Sequence, residues 1–128
     1  MRKWLVTAIG LTVLATSAIT QANGVDDQMK LIAKNYRTVL NTDSPDEFKQ
    51  SLAAMKQAAQ KAQQGTPDKL EGQAKDSDSM KDFRHGLDTL IGEIDSATAL
   101  ADSGKFDQAK QAAEQFKQTR DQYHKKYK

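Results

Sequence analysis

The sequence predicts an all-α protein, an antiparallel up-down-up-down four-helix bundle, and three observations carry that prediction. Apolar residues recur at three- and four-residue intervals, which places them on one stripe of a helix. No segment alternates apolar with polar residues over a useful length, and β-branched residues are sparse, so strands have no support. The connections after the first and third periodic stretches are a few residues long, which forces the helices they join to lie antiparallel.

Residues 1–22 read MRKWLVTAIGLTVLATSAITQA. Arg2 and Lys3 open the segment, an apolar run follows from Trp4 to about Ala15, and Thr20-Gln21-Ala22 closes it. This is the three-part layout of a secretory signal. The apolar run is shorter than the roughly 20 residues a membrane span needs. The expectation is therefore cleavage after Ala22, export to the periplasm, no stable membrane association afterwards, and one domain over residues 23–128.

The first helical stretch carries Val25, Met29, Ile32, Tyr36 and Val39 on its seam, and Asn41-Thr42-Asp43 turns the chain. Ser44-Pro45-Asp46-Glu47 then forms a capping box with proline in the first helical position. The second seam is Phe48, Leu52, Met55, Ala59 and Ala62, with Gly65 as its stop. The polar segment from Gln64 to about Asp78, broken by Gly65, Pro67 and Gly72, reads as one surface loop. The third seam runs through Met80, Phe83, Leu87, Leu90, Ile94, Ala97 and Ala101, and Asp102-Ser103-Gly104 ends it. The fourth continues without a break from Phe106, Ala109, Ala113 and Phe116 to Arg120, Tyr123 and Tyr127. Each seam is narrow, as in bundle helices.

Composition removes several function classes. The chain has 19 basic and 17 acidic residues. Loss of residues 1–22 takes Arg2 and Lys3 and no acidic residue, which leaves a net charge of zero. A nucleic-acid partner would need a basic excess on one face. With no cysteine, disulfides, thiolate metal sites, a cysteine nucleophile and covalent haem attachment are excluded. No glycine-rich phosphate loop, Glu-x-x-His pair or Ser-His-Asp set stands in the pattern, so the chain does not read as an enzyme. Narrow seams leave no broad apolar stripe for a partner helix, and the protein reads as a monomer.

The topology brings the start of the first helix, the end of the fourth, the long loop and the start of the third to one end of the bundle. Met29 lies on the seam there, and His124 falls one residue past seam Tyr123 in the last turn of the fourth helix. Ile32, Tyr36, Phe83 and Leu87 surround the space between them. A thioether and an imidazole facing each other across an apolar slot are the axial pair of a six-coordinate haem iron in electron transfer. Met80 lies at the same end and competes with Met29 on geometry. His85, on the outermost face of the third helix, reads as a surface residue. Arg120, one turn before His124, suits a haem propionate, as does Lys128 at the rim; the ordinary alternative is an exposed arginine whose stem covers the seam. Two bland explanations compete with the haem reading: a seam methionine that fills the core, and a histidine that complements a helix dipole. They amount to a cofactor-free periplasmic bundle with a structural or chaperone-like binding role, in which Met29 and His124 are dispensable and the purified protein is colourless.

Met80-Lys81-Asp82-Phe83-Arg84-His85-Gly86, Arg120-Asp121-Gln122-Tyr123-His124-Lys125-Lys126-Tyr127, Asp27-Gln28-Met29 and Thr66-Pro67 with Lys69-Leu70-Glu71 together resemble the cytochrome b562 family, over the whole stretch after Ala22. The resemblance implies a soluble periplasmic electron carrier with one non-covalent b-type haem, and so an unidentified redox donor and acceptor. It implies Met29 and His124 as the axial ligands and no ligand role for His85. Leu87 stands where the best-known member has a second aromatic near the haem, Asp68 where a second proline is expected, Lys128 where an arginine is expected, and Tyr36 where a leucine is usual.

Overall fold

A computed structural model describes residues 24–127. The expected signal segment, Met1–Ala22, and the rim candidate Lys128 lie outside the described residues. Helix α1 spans Gly24–Asn41, α2 Pro45–Ala62, α3 Asp78–Asp102, α4 Phe106–Glu114 and α5 Phe116–Tyr127, with a 3-10 turn at Asp68–Leu70. Among the described residues there is no strand, and no helix is long and apolar enough to cross a membrane. Helix α1 packs on α2 and α4, α2 on α3, and α3 on α4 and α5. That closed ring of sequential neighbours is the predicted four-helix bundle, with α4 and α5 together forming its fourth rod.

Local chemistry explains the boundaries. The Ser44 hydroxyl accepts the Glu47 amide at 3.2 Å and Pro45 opens α2, satisfying amides that a helix start leaves orphaned. Ser77 does the same for α3, accepting the Met80 amide at 3.2 Å. Gly104 ends α3 with a φ of +79°, a backbone region glycine enters without steric penalty. Gly65 has a different reason from the expected helix stop. A β-carbon there would lie 2.6 Å from Val25 Cγ2, so the glycine lets the end of α2 close on the start of α1.

The seams form the core. Val39, Phe48, Leu52, Met55, Ile94 and Phe116 are all but fully buried, each worth roughly 1.5–3 kcal/mol when removed from water. Buried Ala58, Ala59 and Ala62 keep the interior thin. Lys49 pairs with Asp102 at 3.3 Å and Lys56 with Asp95 at 2.8 Å: moving two turns on along α2 means two turns back along α3, the register of an antiparallel pair. Both bridges are partly exposed, so they mark geometry more than they add stability.

Two expectations need correction. The 64–78 segment is not a plain surface loop: Pro67 and Leu70 are buried, and the 3-10 turn packs against α5. The fourth helix is not continuous. At Gln115 the regular ladder gives way to i→i−3 contacts, with the Gln115 amide on Ala112 C=O at 3.1 Å and the Gln118 amide on Gln115 C=O at 3.1 Å. The Tyr36 hydroxyl donates to Ala113 C=O at 2.7 Å, taking the carbonyl that the Lys117 amide would use in an unbroken helix. A side chain inserted into the ladder is a recognised cause of a helix break.

Candidate functional site

One end of the bundle collects the start of α1, the end of α2, the 3-10 turn, the start of α3 and the end of α5. Several contacts tie these pieces together. The Gln63 side-chain amide reaches from the end of α2 to Arg84 C=O at 3.1 Å and Asp88 Oδ1 at 2.6 Å on α3. The Tyr123 ring lies flat against the backbone of α3 at Gly86, where a β-carbon would meet Cγ, Cδ1 and Cε1 at 2.5–2.7 Å. Beyond it the Tyr127 hydroxyl and Lys126 Nζ, the latter at 3.1 Å, both donate to Asp82 Oδ2. The Tyr127 ring also meets Phe83 edge-on at 5.9 Å. The tip of α5 is thus clasped to the first turns of α3.

The other flank of α5 is gripped at its base. Tyr36 stacks on Phe116 with centroids 5.6 Å apart, and the Arg120 guanidinium sits 5.9 Å from the Tyr36 ring centre. From this point α5 takes its helix contacts from α3 and the 3-10 turn, whereas α1 takes its own from α2 and α4. Helices α1 and α5 therefore meet at Tyr36 and lean on different neighbours toward Met29 and His124.

The residues singled out in the sequence fall as follows. Ile32, Tyr36, Phe83 and Leu87 are all buried, and half-buried Met29 packs against that cluster. His124 is on an exposed position of α5, and His85 is exposed on the outer face of α3. Met80 is 2 % exposed and part of the core. Arg120 departs from the inward position the seam assigns it: its side chain is 40 % exposed and its Nε pairs with Asp121 at 3.2 Å. Hydration of the guanidinium and the break at Gln115 both favour that outward placement. The shallow hollows along Gln50–Gln60 and between Lys34 and Glu47 include none of these residues.

Electrostatics at this end follow from the same contacts. The hydrogen bond from Tyr127, then the one from Lys126, hold the Asp82 carboxyl below its usual range. Burial, followed by the Asp82 contact, pushes the Tyr127 phenol up to about 12. Burial also raises Glu93, whose Oε1 is buried without a hydrogen-bond partner while Thr119 bonds to the carboxylate. Sequence reasoning missed the Asp82–Tyr127 clasp and the role of Gly86, because both depend on which faces of α3 and α5 meet.

Two predictions arise from the clasp. Asp82→Asn is expected to lower the stability of the haem-free protein at pH 7 by a few tenths to about 1 kcal/mol, small because the pair is partly exposed. Asp82 has a lowered folded pKa, so its contribution is present above the ordinary carboxylate range and is lost as pH falls through the folded value. The gap between parent and variant in urea melts should accordingly vanish on acidification. Gly86→Ala gains about 1 kcal/mol in helix propensity. Overpacking against three atoms of one ring costs typically 1–3 kcal/mol. The ring cannot turn away without moving α5, so the clash is expected to win, with a lower melting temperature and displaced α5 resonances.

A family model described as cytochrome b562 matches residues 24–128. The chain belongs to the cytochrome b562 family. It is 54 % identical to a probable soluble cytochrome b562 2 of Yersinia pestis over 127 residues, 99 % of each chain. A probable soluble cytochrome b562 1 of the same organism is 35 % identical, again over 99 % of each chain. An uncharacterized protein of Pasteurella multocida is 32 % identical over 96 % of this chain and 93 % of its own. Cytochrome b562 proteins are haem-binding electron carriers and not an enzyme family.

The residues of this b562 chain suit such a group. The buried face of Ile32, Phe83 and Leu87 is apolar, as a flat macrocycle requires. Met29 offers a soft sulfur donor beside that face, and His124 offers a nitrogen donor on α5, which packs on α3. With no cysteine in the chain, attachment through thioether bonds is excluded, which leaves a non-covalent haem.

Proposed function

We propose that this chain is a periplasmic carrier of single electrons that holds one non-covalent b-type haem between Met29 and His124. The observation that supports this most is the arrangement of α1 and α5. They are joined at Tyr36 and Phe116 and supported by different neighbours beyond, with a soft donor on one, an imidazole on the other, and a buried apolar face at hand.

When bound, haem supplies a ferric–ferrous couple that takes up and releases one electron. The chain's own residues do the rest. The Met29 thioether favours the reduced state and raises the potential relative to a second histidine. Met29 and His124 together would hold the iron and leave no open place on it for dioxygen, as suits a carrier. Ile32, Phe83 and Leu87 exclude water, and the Asp82–Tyr127 clasp holds the turn that carries His124. Arg120, exposed beside Tyr36, would pair with a propionate at the rim. A net charge of zero after removal of residues 1–22 suits weakly docking redox donors and acceptors that are not strongly charged, with the protein as a monomer.

An absorption spectrum of the protein purified from the periplasm of an expressing cell tests the reading. Low-spin bands that sharpen on reduction are expected; a colourless protein that takes up no added haem would overturn it. Met29→Ala is expected to retain haem with an open sixth position and a lower potential. An unchanged low-spin spectrum in that variant would move the ligand role to Met80.

A further inference from the structure

Tyr36 reaches from α1 into the backbone of the fourth rod. Its ring is 4 % exposed, and a buried phenol hydroxyl requires a partner. That partner is Ala113 C=O at 2.7 Å, the carbonyl just before the break at Gln115. Ala113 C=O also accepts a backbone amide at the Gln115 cap, and the Lys117 amide faces the phenol oxygen. The same ring stacks on Phe116 and lies beside Arg120. Tyr36 therefore touches the end of α4 at Ala113 and the first turns of α5 at Phe116, Lys117 and Arg120.

The consequence is directional. Helix α4 keeps its packing on α1, whereas α5, immediately after the break, takes up α3 and the 3-10 turn instead. At the far end, Gly86 and Asp82 on α3 receive Tyr123 and Tyr127. His124 lies between these two points of attachment. A leucine or phenylalanine at position 36 fills the same apolar space but leaves Ala113 C=O available to the Lys117 amide, and the rod is then free to run straight along α1.

We propose that Tyr36 is a positioning residue: its hydroxyl breaks the fourth rod at Gln115 and thereby sets the angle at which α5 carries His124 opposite Met29. This rests on the ligand roles proposed above for those two residues.

Tyr36→Phe in the full chain tests the proposal, with one reading on the haem-free protein and one on the loaded protein. In the haem-free parent, no through-hydrogen-bond scalar coupling is expected between Lys117 N and Ala113 C′; in Tyr36→Phe that coupling should be present and exchange of the Lys117 amide should slow by about tenfold or more. In the loaded variant, haem affinity should fall by about tenfold and the low-spin ferric EPR g-values should shift, which a purely structural role for the ring would not produce. A coupling already present in the parent would overturn the proposal. So would a variant that gains the coupling yet keeps parental affinity and g-values. If Tyr36→Phe does not fold, Tyr36→Leu gives the same two readings. A parent that binds no haem defeats the ligand assignment, while the coupling still decides whether Tyr36 breaks the rod.

Discussion

His124→Ala is expected to weaken haem binding by about 100-fold or more, close to 2.8 kcal/mol, while His85→Ala stays within about twofold. The asymmetry comes from where the two rings sit. His124 is on α5, between the contacts that fix this helix on α3 at Gly86 and Asp82. His85 is exposed on α3, one turn on from Asp82. If His124 holds the iron as proposed, its loss removes a strong, directional interaction, whereas loss of a surface imidazole removes a solvated one. Haem titrations of the two variants check this, and equal losses would contradict it.

Phe116→Ala is expected to damage the haem-free fold more than either change at the clasp, at about 3–5 kcal/mol. Its ring is 1 % exposed, stacks on Tyr36, and opens α5 directly after the break. Its removal leaves a void that α1 and α4 cannot close without unseating Tyr36. A domain of this size has only about 5–15 kcal/mol of total stability, so the variant should be partly unfolded on mild warming. Haem binds the folded state, and ligand at 100 times its dissociation constant adds about 2.7 kcal/mol. The melting temperature of Phe116→Ala should therefore rise on haem addition. A melt within a degree or two of the parent's would show that the site collapses without penalty.

Much of this was legible in the residues, for identifiable reasons. Apolar spacing located all four rods, because the seam residues Val39, Phe48, Leu52, Ile94 and Ala97 are the ones the bundle buries. The Ser44 cap and Gly104 are local signals and fell where local chemistry puts them, although the expected box is only half formed, because the Ser44 amide donates to Thr42 Oγ1 and not to Glu47. What periodicity could not show was the break at Gln115. Nothing in Glu114-Gln115-Phe116 discourages a helix, and the hydroxyl that reaches the Ala113 carbonyl there comes from 77 residues earlier in the chain. The burial of Leu70 was hidden for a similar reason, since a lone leucine in a polar loop has no period to announce it. Arg120 kept the seam spacing but not the seam, because spacing is informative only as far as the helix it belongs to runs unbroken. In the site, the apolar residues and the two candidate donors followed from topology, whereas the Asp82–Tyr127 clasp depends on facing surfaces that a linear pattern does not encode.

The central claim is that the sulfur of Met29 lies on the haem iron. Its most direct test is the methyl spectrum of reduced, haem-loaded protein with isotope-labelled methionine methyl groups. One methyl resonance should be driven far upfield by the porphyrin ring current and should vanish in Met29→Leu. A shifted resonance that survives Met29→Leu and disappears in Met80→Leu, or a loaded protein with no shifted methyl at all, would contradict it.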